Sequence, residues 1–174
     1  YDDGVAITHQ SNGVIGGLMA LRHREVNGGT GQVVDVALYE AVFSLMESLL
    51  PEYDLTGFVR ERSGASLPGI VPSNTYATRD GKYVVIGANG DSIFKRMMVA
   101  IGREDLANDP RLARNDGRVA HTGELDRVIG DWCAAHDLDQ VLGVLADAQV
   151  PSGKIYDIAD IVADLQYRAR GMIE

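Results

Sequence analysis

The sequence predicts a mixed α/β chain with a helix-rich second half. Three observations carry this: apolar residues recur at helical spacing in several segments, two short β-rich runs flank an Asp-Gly turn, and Gly-, Pro- and Asn-rich stretches separate them. The 174 residues, 45% hydrophobic and 24% charged, are ordinary globular composition and enough to bury a real core.

From Gly13 to Glu25 apolar and small residues give way to Arg22-His23-Arg24, which predicts a mostly buried helix whose cationic last turn suits the negative end of its dipole. Asn27-Gly28-Gly29-Thr30-Gly31 ends it. This glycine cluster lies between a helix and a strand, whereas phosphate loops run from strand into helix, so it does not read as a phosphate cradle. Gln32 to Ala37 is a β-branched run that fits a buried strand. Between Leu38 and Leu50 the polar residues Glu40, Ser44, Glu47 and Ser48 form one narrow wet stripe on an otherwise apolar helix. Pro51 to Gly69 has no such period and reads as a long mobile connection, with the boundary between two parts of the chain near residues 54 to 69.

Thr75 to Thr78 and Tyr83 to Ile86 flank Arg79-Asp80-Gly81-Lys82, which predicts a hairpin. Asp91 is placed to cap a helix from Ser92 to Ile101, with Ile93, Phe94, Met97 and Met98 on one face and Gly102 at its end. Asp105 to Ala120 reads as short helical turns joined by polar loops. Two amphipathic helices follow, one aligning Leu125, Val128, Ile129, Trp132 and Cys133, the next Leu138, Val141, Leu142 and Leu145, with Asp137 and Gln140 as a capping pair. Val150 to Tyr156 turns into a short strand, and Asp157 opens a last helix to about Asp164. The N-terminus reads as a cut edge, and the C-terminus stops without a terminating signal.

Sixteen Lys and Arg against 25 Asp and Glu give a net charge of −9, so no concentrated basic surface is available for nucleic acid or for a membrane surface. No stretch approaches the roughly 18 to 20 apolar residues of a membrane span. Cys133 is the single cysteine, which excludes an intrachain disulfide and a cysteine zinc site and makes a reducing cytoplasm the simplest compartment. It lies on an apolar stripe and reads as a core residue. His9, His23, His121 and His136 lack metal-ligand spacing, and neither G-x-S-x-G nor GxxxxGK[ST] occurs. The carboxylates and arginines remain. Asp2 and Asp3 precede the first helix, where a carboxylate serves as nucleophile or as cap. Arg60 and Arg62 flank a loop and can meet phosphates, a carboxylate, or only solvent.

Ala20-Leu21-Arg22-His23-Arg24-Glu25 with Gly31-Gln32-Val33-Val34-Asp35-Val36-Ala37-Leu38-Tyr39-Glu40-Ala41, then Pro68 to Tyr76, Asp80 to Ala88, and Val150-Pro151-Ser152-Gly153-Lys154-Ile155-Tyr156, occur in an order that resembles the family III CoA-transferases. The resemblance covers nearly the whole chain. That superfamily holds formyl-CoA, carnitine and succinyl-CoA-dependent transferases and the α-methylacyl-CoA racemases. It implies a longer parent protein whose protomers interlock as a homodimer. A Rossmann-like large domain would include residues 1–66, a smaller α+β domain residues 67–150, and residues 151–174 would return toward the large domain.

The resemblance implies CoA transfer from an acyl-CoA donor to a carboxylic acid, with a CoA thioester as substrate and no permanently bound cofactor. In such transferases an Asp near the start of the glycine-rich helix attacks the thioester, and the mixed anhydride becomes an aspartyl-CoA thioester that hands CoA to the acceptor. Counting back from Gly31-Gln32 puts that position at Ala6 or Ile7, and a shifted alignment puts it at His9. Asp3 fits if the helix start shifts by about three residues; otherwise this piece lacks a working nucleophile and is non-catalytic. The loop that closes over the intermediate corresponds to Ser63 to Gly69, with Gly64 and Gly69, and Asp91 matches the loop from which an acidic residue acts in the racemase alternative. Arg60, Arg62, Lys95 and Arg96 are the cations available for CoA phosphates.

Overall fold

The computed structural model describes residues 2–46 and 48–173, with side chains from Gln10 onward; Glu47 of the expected wet stripe lies outside the described residues. The architecture is the expected mixture of helix and sheet, and the chain divides into one unit ending at Glu61 and a second beginning at Arg62.

In the first unit, α1 (Asp2–Val26) starts earlier than the apolar pattern shows. His23 and Arg24 occupy its last turn, and Gly28 and Gly29 leave it with φ +99° and +90°. The helix is not mostly buried: within the first unit Val14, Ile15, Leu18 and Met19 are 57 to 68% exposed, because no described layer of that unit covers them. Gln32 to Ala37 is not a strand either. A strand needs a second strand to form a ladder with; among the described residues none is laid against this run, and Val33 is 93% exposed. The run does press on α1, where a Cβ at Gly16 would stand 2.6 Å from Val34 Cγ1.

The single helix expected over 38–50 is two, α2 (Leu38–Phe43) and α3 (Leu49–Thr56). Ser44 turns its hydroxyl back onto the Ala41 carbonyl at 2.7 Å, the local bond by which serine competes with helix continuation. The expected loop therefore begins only at Gly57, which ends α3 at φ +70°. Pro51 is tolerated within α3 because it stands in the first turn, where its missing N–H has no intrahelical partner to lose.

The second unit is built on an antiparallel sheet in the order β1 (Ser73–Ala77), β2 (Tyr83–Gly87), β3 (Ser152–Lys154), with Thr75 opposite Val85 and Val85 opposite Gly153. The Asp80-Gly81 hairpin is present, Gly81 taking φ +75° and Thr78 N–H closing on Lys82 O at 2.9 Å. Alternation in β2 buries Val84 and Ile86 and exposes Tyr83 and Val85, so only one face meets the core.

That core is supplied by α4 (Asp91–Ala100), α7 (Thr122–Ala134) and α8 (Leu138–Asp147) through Met97, Met98, Leu125, Ile129, Val141 and Leu145, all at 0% exposure. Between α4 and α7 run α5 (Glu104–Ala107), a 3-10 turn (Pro110–Leu112) and α6 (Asn115–Ala120), as the polar loops foretold. Gln140 accepts the Asp137 N–H at 3.1 Å, as expected of a capping pair. Asp157 accepts the Asp160 N–H ahead of α9 (Ile158–Ala163), and Asp164 caps a further helix, α10 (Leu165–Ala169), that the pattern did not show.

Candidate functional site

The loop implied to close over a reacting group enters the second unit at Arg62. Gly64 and Gly69 both take left-handed φ, +65° and +82°, which glycine adopts without steric cost. From Gly69 the chain is gripped by α6. Asn115 Nδ2 donates to Gly69 O at 2.9 Å while its Oδ1 accepts Val71 N–H at 3.1 Å, and Arg118 Nε donates to Val71 O at 2.9 Å. The same helix packs tightly on the 3-10 turn because position 117 is glycine: a Cβ there would fall 1.7 Å from Arg111 O.

Arg118 is wholly buried, and its remaining donors reach Leu112 O at 3.0 Å, Asn89 O at 2.6 Å and Asp91 Oδ1 at 2.9 Å. Its guanidinium also lies over the Phe94 ring, 5.0 Å from the centroid. A buried cation is tolerable only when so completely paired.

Asp91 is not the cap of α4. Gly90 occupies the cap position and Asp91 is the first helical residue. Its side chain is drawn off by two arginines, Arg118 at Oδ1 and Arg114 at Oδ2, both at 2.9 Å. The Arg118 and then the Arg114 hydrogen bonds hold its carboxyl below the usual carboxylate range.

Beneath the loop, Asp126 accepts the Tyr76 hydroxyl at 2.6 Å and the Asn74 amide at 3.2 Å. Burial, with the Asp126 carboxylate behind it, pushes the Tyr76 phenol well above its ordinary range. Asp126 also lines a cavity of about 50 Å³ with Leu67, Gly69, Val71, Ser73 and Thr122.

Of the residues singled out in the sequence, Arg62, Gly64, Gly69 and Asp91 belong to the second unit, Asp3 and Arg60 to the first. Asp3 stands in the first turn of α1, and its side chain lies outside the described residues. Arg60 Nε is engaged by Glu52 Oε2 at 2.5 Å. Arg62 is exposed. Arg96 is spent on the end of α8, donating to Ala148 O and Gln149 O at 2.9 Å each. Lys95 is exposed beside it, at the edge of an open cavity of about 590 Å³. Sequence reasoning missed Asn115, Arg118 and Asp126. The only signal was an Asn and an Arg three positions apart in a segment rich in charge, which an exposed helix would show equally well.

The model of CoA-transferase family III matches residues 6–174. A succinyl-CoA–D-citramalate CoA-transferase of Chloroflexus aurantiacus is 45% identical over 91% of this chain and 39% of its own length. A succinyl-CoA:mesaconate CoA-transferase of Haloarcula hispanica is 35% identical over the same shares, 91% and 39%. The crystal structure of a CAIB/BAIF family protein from Brucella suis superposes with TM-score 0.74 at 33% identity, covering 89% of this chain and 40% of that one. The chain thus spans about two-fifths of the length of these relatives. With the family model matching residues 6–174, the chain belongs to CoA-transferase family III.

Proposed function

We propose that the full-length protein moves CoA from an acyl-CoA donor of the succinyl-CoA type to a carboxylic acid, through an aspartyl-CoA thioester. The observation that carries this reading is the family match over 6–174 together with 45% identity to a transferase of that donor class. Asp3 is the carboxylate assigned to attack, since the first turn of a helix favours an ionised carboxylate. Arg62 is the cation assigned to CoA phosphate, because Arg60 is already engaged by Glu52. The loop through Gly64 and Gly69 closes over the thioester and keeps water from it. Residues 1–66 are assigned to the large CoA-binding domain, 67–150 to the smaller one and 151–174 to the return, in an interlocked homodimer. Asp91, with both oxygens bound by arginines that hold its carboxyl below the usual range, is a weak base and a poor match to a proton-abstracting role, which favours transfer over racemisation.

The test uses the full-length protein with succinyl-CoA and a hydroxydicarboxylic acid. Trapping with hydroxylamine or borohydride during turnover is expected to leave a modified aspartate. Deuterium entering C2 of a 2-methylacyl-CoA with no adduct would overturn the reading. Full activity in Asp3→Ala would remove Asp3 from its role and leave the reaction class standing.

A further inference from the structure

From Arg62 to Leu67 the chain is largely exposed and holds itself by sparse backbone bonds, Ser66 N–H to Ser63 O at 3.3 Å and Leu67 N–H to Ser73 O at 3.2 Å. At Gly69 this changes abruptly. Within three residues, Gly69 O, Val71 N–H and Val71 O are each taken by a side chain of α6. Asn115 supplies an acceptor and a donor from one amide, a pairing that a carboxylate or hydroxyl of similar size cannot present with the same geometry. Arg118 adds the third bond from a fully buried guanidinium that also holds Asn89 O and Asp91. The segment 69–71 and the segment 89–91 are therefore fixed to one post, and the passage from sparsely to densely bonded chain falls at a glycine with φ +82°.

We infer that Asn115 and Arg118 are positioning residues for the loop Arg62–Gly69: they anchor its root, so that the loop returns to a single closed position. Neither touches substrate. This rests on the transferase reading above, in which that loop shields a thioester from water.

The experiment measures two rates in the full-length protein supplied with succinyl-CoA and acceptor acid: CoA passed to the acid, and CoA lost to water. In the loss, a water oxygen bonds to the thioester carbonyl carbon, the C–S bond breaks, CoA leaves as the thiol and the carboxylate is regenerated. Asn115→Ala is expected to raise the ratio of loss to transfer about tenfold, the factor corresponding to roughly one net hydrogen bond. Asn115→Asp, which keeps the acceptor for Val71 N–H, is expected to raise it less. A purely structural role lowers the active fraction and scales both rates together, so a folded Asn115→Ala protein with an unchanged ratio overturns the inference. Where Asn115→Ala fails to fold, Asn115→Asp decides by the same ratio. Absence of CoA transfer in the wild-type protein would instead overturn the functional reading, and is seen before any variant is made.

Discussion

Arg118 and Asp91 meet at 2.9 Å as an unequal pair, the guanidinium fully shielded from water and the carboxylate 40% exposed. The inequality says where the energy lies. If Arg118 were lost the carboxylate could keep its water, but the carbonyls of Val71, Leu112 and Asn89 would lose the donor that satisfies them. Arg118→Met, which fills similar volume without donors, is expected to destabilise the second unit by about 3 kcal/mol. Asp91→Asn is expected to cost distinctly less. Guanidinium unfolding of the two variants checks the order.

Position 117 should admit no side chain. A Cβ would overlap the Arg111 carbonyl at 1.7 Å, and that oxygen is backbone that cannot swing away. Gly117→Ala is expected to cost about 3 kcal/mol or more, as α6 is forced off the 3-10 turn. Gly143→Ala in α8 is the contrasting control. Nothing lies within 4 Å of a Cβ there, and the exchange is expected to stabilise by about 0.5 to 1 kcal/mol. Thermal melting of both variants distinguishes a packing cost from a general intolerance of helix substitutions.

Acid should loosen the second unit through its arginine-bound aspartates. The Arg103 hydrogen bonds, at 2.8 and 2.7 Å, lower the Asp105 carboxyl from 3.8 to about 2. A carboxyl whose folded value lies below its unfolded one stabilises above the unfolded value, and that contribution fades as pH falls toward the folded value. Asp91, Asp109 and Asp137 are lowered in the same direction, by Arg118, Arg111 and Arg79 in turn. Stability is expected to decline as pH is lowered from about 4 to about 2, with a shallower decline in Asp105→Asn. Denaturant midpoints recorded at several pH values across that interval test it.

Cys133 should be chemically silent in the folded protein. It is fully buried on α7, and burial pushes its thiol up to about 12. A disulfide reagent at pH 8 is expected to leave it unmodified in the native state and to modify it once denaturant is added. Prompt reaction without denaturant would show that α7 opens readily from the sheet.

Much of this architecture was legible because its signals are local. Asp80-Gly81 specifies its own turn, and the Leu138, Val141, Leu145 stripe specifies its own helix, whatever surrounds them. Gln32 to Ala37 was misread for the opposite reason: β-branched residues tolerate an extended backbone, but a strand exists only when a second run pairs with it. Asp91 was misread as a cap because cap preference is weak beside two arginines arriving from positions 114 and 118. The grip of Asn115 and Arg118 on residues 69–71 has no mark in the order of residues, since a buried arginine and an exposed one are the same letter. What distinguishes them is the set of carbonyls from Val71, Asn89 and Leu112 that the fold gathers around one point.

The short strand Ser152–Lys154 closes the sheet by pairing with Tyr83–Gly87, so all the helices from α4 to α8 hang between two strands that are themselves tied side by side. Such an arrangement is a hoop rather than a string. A protease nick in the exposed turn at Asn108 would open the covalent path without releasing either half, because the ladder and the shared core still join them. The two halves expressed separately are then natural partners for reassembly, with Val84 opposite Lys154 and Ile86 opposite Ser152 as the seam.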